Sequence, residues 1–374
     1  MGLIYLDHAA TTPVKDCVLD AMLPYFSKHF ANASSGYQAA RESRRAIEAA
    51  RAQVAELIGA QPNEVYFTSG GSESDNWALT GVYEAHAQNK QRIVSSAFEH
   101  HAVLNTCLAL AQKGADVVYL PVSSQGLVRC EEAEKAITKA TALVSVMMAN
   151  NEVGSIQPIR EIAEIAHRQG ALMHTDAVQA AGHIEVDVNA LGVDLLSLSA
   201  HKFYGPKGIG ALYIRKGTRI NRFVYGGEQE KGLRAGTENI AAIVGMGAAA
   251  TEAKKTLCAQ QSRISALRDY MIDRLQHLPN ARVNALEAPR LPGHVHITLA
   301  SEDTSLLLMQ LDMRGIAASS GSACASGVSQ RSHMIEAMGI AGDAQADLRF
   351  TLGDQTTKEE IDRTIDALMS IVSK

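Results

Sequence analysis

The feature that most constrains this fold is a repeated alternation of short apolar runs with helical patterns. Several runs are apolar at nearly every position, as in parallel strands covered on both faces. A helix with one apolar stripe is predicted at Pro158–Gln169, where a proline opens the pattern and Gly170 ends it. The predicted strands are Glu64–Ser69, Arg92–Ala97, Asp116–Val122, Ala142–Met148, Ala171–Thr175, Asp194–Ser199 and Gly210–Ile214. The alternation predicts an α/β fold with a mainly parallel sheet flanked by helices.

The pattern changes after Gly236. A long helix is predicted over Asn239–Leu278, with a possible break near Gly245–Gly247. An α+β pattern follows: strand His294–Leu299, helix Thr304–Met313, a small-residue loop at 317–327, helix Ser332–Met338, strand Leu348–Leu352, and a last helix opened by a Thr356–Glu359 capping box. A chain of 374 residues exceeds the roughly 250–300 of one core. We therefore expect a large domain at 15–250 and a small α+β domain built from 1–14 and 251–374.

Composition narrows the class of protein. A net charge of −5 argues against nucleic acid or an anionic membrane as the main partner. No run approaches the ~20 apolar residues of a spanning helix, and the first residues do not resemble a signal peptide. The five cysteines are scattered and never in C-x-x-C spacing, so neither a metal site nor a disulfide framework is predicted. These features favour a cytoplasmic enzyme.

Two candidate sites lie at predicted strand ends, where open α/β sheets bind their ligands. The turn Phe67–Glu73 carries two glycines and several hydroxyl side chains before a helix, a pattern that suits a phosphate; an ordinary glycine turn with a serine cap is the alternative. Asp176 ends an apolar strand, where a buried carboxylate requires a cation or several donors. Capping of the next helix is its alternative role.

Lys202 ends another apolar strand within Ser199–Gly208. Such a lysine is either a surface residue whose amine reaches solvent or an amine of lowered pKa that serves as a Schiff-base nucleophile. A strand-end lysine, a buried carboxylate and a phosphate turn are together the requirements of pyridoxal 5′-phosphate. That cofactor is therefore predicted.

Cys324 lies among small residues in Ala317–Gly327. Buried structural thiols are common, but these neighbours lack the bulk to pack a core. A loop that presents a reactive thiol is the favoured interpretation.

The sequence resembles the NifS/IscS-type cysteine desulfurases, which belong to the class V aminotransferase family of pyridoxal-phosphate enzymes. The resemblance implies the fold type I of these enzymes and covers nearly the whole chain. It is carried by Tyr5–Pro13, the phosphate turn, Glu99–His100, Asn150–Gly154, His174–Asp176, Ser199–Lys202, Arg234–Thr237, Ser319–Cys324 and Arg349–Gly353. The Ser319–Cys324 motif is the most specific, because plain transaminases of the superfamily lack the cysteine.

The resemblance implies roles around the cofactor ring. Lys202 would form the Schiff base, and Asp176 would hold the ring nitrogen protonated. His100 would stack on the ring and act as an acid or base, with capping of the next helix as the alternative. Gln179 would donate to the ring oxygen, and Asn151 would lie between cofactor and substrate.

Further implied roles concern the phosphate, the substrate and the sulfur. The phosphate would be held by Gly71, Ser72, Ser199, His201 and, from the neighbouring subunit of a homodimer, Thr237. Arg349 would bind the carboxylate of the substrate L-cysteine. Cys324 would take the sulfur as a persulfide and pass it to an acceptor protein, for iron–sulfur cluster assembly or for another sulfur-containing cofactor or tRNA.

The sequence also departs from the family pattern. Residues 325–333 after the cysteine and Asn32–Tyr37 near the N-terminus differ from the common motifs, and the chain ends soon after its last helix. We therefore keep three alternatives to the desulfurase: a selenocysteine lyase, another class V aminotransferase or lyase, and a non-enzymatic scaffold. The retention of Lys202, Asp176, His100 and Arg349 argues against the scaffold.

Overall fold

A computed structural model describes the chain at residues 2–300, 303–320, 332–340 and 345–372. Cys324 lies outside these ranges. The other residues given a role by the sequence all lie within them.

The strands of the large sheet confirm the predicted alternation. The sheet has the order β2-β8-β7-β6-β5-β3-β4, and all neighbours are parallel except β8, which runs antiparallel to both β2 and β7. The strands β5 and β7 are buried along their whole length. The bounds are β2 (Val65–Thr68), β3 (Arg92–Ser96), β4 (Asp116–Leu120), β5 (Thr141–Ser145), β6 (Leu172–Asp176), β7 (Leu195–Ser199) and β8 (Gly210–Ile214).

A second, three-stranded antiparallel sheet has the order β12-β10-β9, and β1 and β11 form a separate two-stranded sheet. The N-terminal strand β1 pairs in parallel with β11. Isolated bridges from Asp7 to Thr351 and from Ser319 to Arg349 bring this pair to β12. The bounds are β1 (Ile4–Tyr5), β9 (Ala281–Val283), β10 (His294–Ala300), β11 (Ile316–Ala317) and β12 (Gln345–Thr351). The whole is the α/β fold expected of a fold type I enzyme.

Helices cover the sheets. They are α1 (Asp16–Met22), α2 (Pro24–Ser27), α3 (Gln38–Leu57), α4 (Gly71–His86), α5 (His101–Gln112), α6 (Cys130–Ala136), α7 (Ile159–Arg168), α8 (Val188–Leu191), α9 (Ile240–Leu275), α10 (Thr304–Asp312), α11 (His333–Ala337) and α12 (Lys358–Val372). The amphipathic α7 shows why the pattern predicts helices well, since Ile159, Ile162 and Ala166 are buried on one face.

Helix α9 joins two hydrophobic cores. Its first half contributes Ile243 and Met246 to the core under the large sheet. Its second half contributes Met271 and Leu275 to the core under the three-stranded sheet, which α12 also covers. The division into domains at 15–250 and at 1–14 with 251–374 stays a prediction.

The predicted break in α9 near Gly245–Gly247 is wrong, because the helix is continuous. A Cβ at Gly245 would lie 2.6 Å from Met22 Sδ, and one at Gly247 would lie 2.7 Å from Ala50 Cα. The glycines therefore permit close approach of α1 and α3 to α9. This packing outweighs the roughly 1 kcal/mol per residue that glycine costs in a helix.

The cap of α12 differs by one residue from the prediction. Glu360 N–H donates to Thr357 Oγ1, and Thr357 N–H donates to Glu360 Oε2, so the capping box is Thr357–Glu360. Thr356 Oγ1 instead accepts from Gly353 N–H. Strand β12 also begins three residues before the predicted Leu348, because Gln345 to Asp347 continue the ladder with β10.

Among the described residues, no helix is both long enough and apolar enough to cross a bilayer.

Candidate active site

Lys202 lies just beyond the carboxyl end of β7, in a single 3₁₀ turn over Ala200–Lys202. Its Nζ atom donates to the carbonyl oxygens of Ala9 and Ala10, the latter at 2.8 Å. Burial of the amine and the nearby Arg349 guanidinium lower the pKa of Lys202 to about 8. The side chain is therefore half-buried. Its amine contacts the N-terminal segment and does not extend into solvent as a surface lysine would.

Asp176 is the last residue of β6, the parallel neighbour of β7. Its Oδ1 atom accepts a hydrogen bond of 2.8 Å from Val178 N–H. Burial raises the pKa of Asp176 to about 6, although the Val178 hydrogen bond and the Lys202 amine oppose the rise. The capping-type hydrogen bond is thus present, but it occupies only one of the two carboxylate oxygens.

Two further buried acids are close enough to Asp176 for its charge to raise their pKa. Burial, and then the charge of Asp176, raises the pKa of Asp75 well above its ordinary value. Burial raises the pKa of Glu99 to about 8. Near pH 7, Glu99 therefore mostly holds its proton and Asp176 is mostly ionised, while the environment of Asp75 favours its neutral form.

His100 is the N-cap of α5, as the alternative interpretation expected. Its Nδ1 atom accepts from Ala102 N–H at 3.1 Å. Because Nδ1 is an acceptor, the neutral ring carries its proton on Nε2. Desolvation by surrounding protein atoms, then Lys202 and His101, lowers the pKa of His100 to about 4, so the ring is neutral. The cap fixes the tautomer and leaves Nε2 available at the site.

The phosphate turn lies between β2 and α4. Helix α4 begins at Gly71, and the backbone of Gly70 has φ 157°. A Cβ at Gly71 would lie 2.6 Å from Val178 Cγ2, so only glycine permits the turn to approach the segment that follows Asp176. Ser72 is exposed beside it, and Ser199 Oγ would lie 3.9 Å from a Cβ at Gly70. The turn, Ser199 and Asp176 are therefore brought together.

Gln179 and His201 also face the N-terminal segment. Gln179 Nε2 donates to the Ala9 carbonyl oxygen at 3.0 Å, the same oxygen that Lys202 uses. His201 Nδ1 lies 3.2 Å from Thr11 Oγ1. This segment therefore links three of the predicted cofactor residues.

Arg349, on β12, reaches the same site from the three-stranded sheet. Its Nη1 atom donates to the Asn151 carbonyl oxygen at 2.9 Å, and its Nη2 atom donates to Asp7 Oδ1 at 2.7 Å. Its Nε–H and the Asn151 Oδ1 are buried and have no hydrogen-bond partner among the residues that the structure describes. Buried polar atoms without partners are rare in proteins, so this donor and this acceptor indicate a place for a polar ligand.

Thr237 is not part of this cluster. It is exposed, and no hydrogen bond within the described part of the chain joins its hydroxyl to the residues around Lys202. Cys324 lies outside the described residues.

The residues present fit pyridoxal 5′-phosphate. An amine of lowered pKa, a charged buried carboxylate, a glycine turn at a helix N-terminus and unpartnered buried groups of Arg349 and Asn151 surround one site. Within the ranges described, no cluster of histidine, cysteine and acidic side chains could hold a metal ion.

Sequence reasoning missed Asp7 and the pair Glu73–Arg234. Asp7 lies within the quoted Tyr5–Pro13 motif, but its ion pair with Arg349 joins residues 342 positions apart. Glu73 ends the phosphate turn, and it binds Arg234 of another quoted motif. The sequence did contain a sign of these ion pairs, because each of the three charged residues lies inside a motif that is otherwise rich in small side chains.

The chain is similar throughout to proteins of known class. The family model Aminotransferase class-V matches residues 4–364. A protein named cysteine desulfurase IscS, from Methanosarcina thermophila, is 45% identical over 372 residues, which cover 99% of this chain and 92% of that protein.

Solved structures also resemble this chain over nearly its whole length. A structure described as a NifS-like protein has a TM-score of 0.93 and 38% identity, and the match covers 99% of each chain. A structure described as SspA in complex with cysteine has a TM-score of 0.82 and 35% identity, with 93% of this chain and 98% of that one covered.

Proposed function

The chain belongs to the aminotransferase class-V family and is a cysteine desulfurase, and we propose that Cys324 receives the sulfur that the enzyme removes from L-cysteine. The observation that carries the proposed roles is the meeting of two charged groups, the Lys202 amine and the Arg349 guanidinium, at one N-terminal segment. Lys202 donates to the carbonyl oxygens of Ala9 and Ala10, and Arg349 binds Asp7. The amine and the guanidinium are therefore held at the same segment, and Asp176 is close enough to Lys202 for their charges to interact.

The cofactor is pyridoxal 5′-phosphate. When bound, it supplies an aldehyde that bonds to amines and a protonated ring that stores the electron pair released at the substrate Cα. Lys202 would hold the aldehyde carbon, Asp176 the ring nitrogen and Gln179 the ring oxygen, while His100 would stack on the ring. The phosphate would be bound by Gly71, Ser72, Ser199, His201 and the partner's Thr237.

Lys202 is proposed to remove the proton from the substrate Cα at its Nζ atom. A general base works best when its pKa is close to the working pH. The lowered pKa of about 8 gives Lys202 a larger neutral fraction than an ordinary lysine has near neutrality. The carbonyl oxygens of Ala9 and Ala10 hold the amine in place before substrate enters.

Arg349 is proposed to bind the carboxylate of L-cysteine through its unpartnered Nε–H and through Nη2. A guanidinium edge with two parallel N–H groups matches a carboxylate. Asn151, whose carbonyl oxygen accepts from Nη1, would place its free Oδ1 near the substrate.

Cys324 is proposed to attack the substrate sulfur as a thiolate, which is the nucleophilic form. A sulfur–sulfur bond forms while the carbon–sulfur bond of the substrate breaks. The net conversion is L-cysteine plus the Cys324 thiol to L-alanine plus the Cys324 persulfide. The persulfide would then pass to an acceptor protein, and an iron–sulfur scaffold is one acceptor of suitable chemistry.

A cytoplasmic homodimer is proposed as the working form. Thr237 is exposed and outside the cluster of its own chain, which is consistent with a role at a partner's phosphate. Cys17, Cys107, Cys130 and Cys258 are all free thiols, which suits a reducing compartment.

The experiment is incubation of the purified protein with L-cysteine and a reductant, with alanine and sulfide measured together. A desulfurase yields the two in equal amounts. Alanine from selenocysteine alone would favour the lyase alternative, and a keto acid in place of alanine would favour the aminotransferase alternative. Absence of every product would contradict the proposal.

A further inference from the structure

The phosphate turn and the Arg234–Thr237 segment are joined by a two-point ion pair. Arg234 Nε lies 2.8 Å from Glu73 Oε1, and Arg234 Nη2 lies 3.1 Å from Glu73 Oε2. The same carboxylate accepts a 2.8 Å hydrogen bond from Ser69 N–H. Burial alone would raise the pKa of Glu73, but the hydrogen bonds from Arg234 and Ser69 lower it below its ordinary value. The Glu73 carboxylate is therefore ionised, and it joins the phosphate turn to the Arg234–Thr237 segment.

A second anchor holds the other end of this segment. Glu230 and Lys231 have left-handed backbone, with φ of 46° and 58°, which non-glycine residues rarely adopt. The Glu230 carboxylate is buried and binds Arg51 at 2.7 and 2.9 Å, and it accepts from Phe67 N–H at 2.9 Å. Phe67 belongs to β2, the strand that leads into the phosphate turn. The segment 230–234 is thus tied at both ends to residues 67–73.

Thr237 projects beyond these anchors. It lies three residues after Arg234, it is exposed, and Gly236 N–H is held by Gln229 Oε1 at 3.2 Å. The described contacts therefore fix the base of the segment and leave the hydroxyl of Thr237 facing outward.

We propose that Glu73 and Arg234 are positioning residues, which hold Thr237 where it reaches the cofactor phosphate of the partner subunit. This inference rests on the proposed function, because it needs both the cofactor and the homodimer. It adds that each subunit's own phosphate turn holds the segment that completes the other subunit's phosphate site.

The test compares two ligands on the apoprotein dimer: pyridoxal 5′-phosphate and pyridoxal, which lacks the phosphate. Glu73→Gln and Arg234→Lys remove the two-point pair but retain similar size. We expect each to weaken binding of the phosphorylated ligand about tenfold, as for loss of one charge-assisted contact, and to leave pyridoxal binding unchanged. Arg168→Gln breaks an exposed ion pair with Glu134 and serves as the control, with no effect on either ligand.

Thr237→Ala distinguishes two ways in which Glu73 and Arg234 could affect phosphate binding. They could act by positioning Thr237, or by supporting the phosphate turn of their own subunit. If Glu73 acts through Thr237, Thr237→Ala shows the same phosphate-specific loss, and the double variant with Glu73→Gln is no weaker than either single variant. Additive losses, an equal loss for pyridoxal, or no loss in the single variants would overturn the inference. Failure of the wild-type protein to bind pyridoxal 5′-phosphate would instead contradict the proposed function.

Discussion

The Asp7 carboxylate lies 2.7 Å from the Arg349 guanidinium, on the nitrogen that neighbours the unpartnered Nε–H. Asp7 therefore occupies part of the edge proposed to bind the substrate carboxylate. An incoming carboxylate has to share or displace this contact, and two negative charges then lie on one guanidinium. The ion pair keeps Arg349 in place but also opposes substrate binding.

Asp7→Asn is expected to tighten the binding of L-alanine, the reaction product with the same carboxylate. The amide keeps an oxygen for Nη2 and removes the like charge, a change of about 1 kcal/mol, or roughly fivefold in affinity. Calorimetry on the holoenzyme measures it. L-alaninamide, which lacks the carboxylate, is the ligand control, and Asp116→Asn at an exposed ion pair is the protein control. Weaker binding in Asp7→Asn would show that positioning of Arg349 dominates.

The local pattern of the chain was sufficient to predict the strands and the positions of Lys202 and Asp176 at strand ends. Their roles stay predictions. The local pattern was insufficient where contacts between residues far apart in the sequence determine the structure. Gly245 and Gly247 were interpreted as a break, although α1 and α3 pack against them. Asp7 was unassigned, because a bridge to Thr351, far away in the sequence, places it beside Arg349 on β12.

The lowered pKa of Lys202 predicts how the apoprotein takes up its cofactor. Only the neutral amine attacks an aldehyde. Because the folded-state pKa is about 8 and not the ordinary 10.5, the rate of attachment of pyridoxal should rise with pH and level off above about 8. Stopped-flow absorbance checks this profile. A rate that still climbs steeply through pH 10 would show an ordinary lysine, and Lys202→Arg should show no attachment.

Asp176→Asn and Asp75→Asn form a matched pair of buried substitutions. With a pKa of about 6, Asp176 is mostly ionised near pH 7, so the first change removes a charge. Burial and the charge of Asp176 raise the pKa of Asp75 well above its ordinary value and favour its neutral form, so the second change should remove less charge. We expect alanine formation to fall by more than about a hundredfold in Asp176→Asn, since loss of a key charge costs roughly 3 kcal/mol or more. Asp75→Asn should retain most activity. Equal losses would mean that Asp75 also carries charge.

Glu230→Ala should strongly destabilise the fold. It leaves Arg51, a residue that is 5% exposed, without its bidentate partner, and breaking a buried pair costs about 3–5 kcal/mol. Glu48→Ala removes only the exposed partner of the same arginine, at about 0–1 kcal/mol. Urea denaturation followed by circular dichroism compares the two. Similar midpoints would show that Arg51 finds another partner.

Cys324→Ser tests the sulfur acceptor most directly. Binding of cofactor and cysteine uses none of the thiol, so both should be retained, whereas sulfur transfer should cease because a hydroxyl is not ionised at neutral pH. In the wild type under limiting cysteine, mass spectrometry should find one added sulfur atom on the Cys324 peptide.

The exposed Cys17 and Cys258 are the controls for accessible thiols. The buried Cys107, whose pKa burial raises to about 12, is the control for an inert one. Serine at any of these three positions should leave the label on Cys324, because none of them lies in the Ser319–Cys324 motif. Added sulfur on another cysteine, or undiminished alanine formation by Cys324→Ser, would show that Cys324 is not the sulfur acceptor. Either result would favour the aminotransferase alternative.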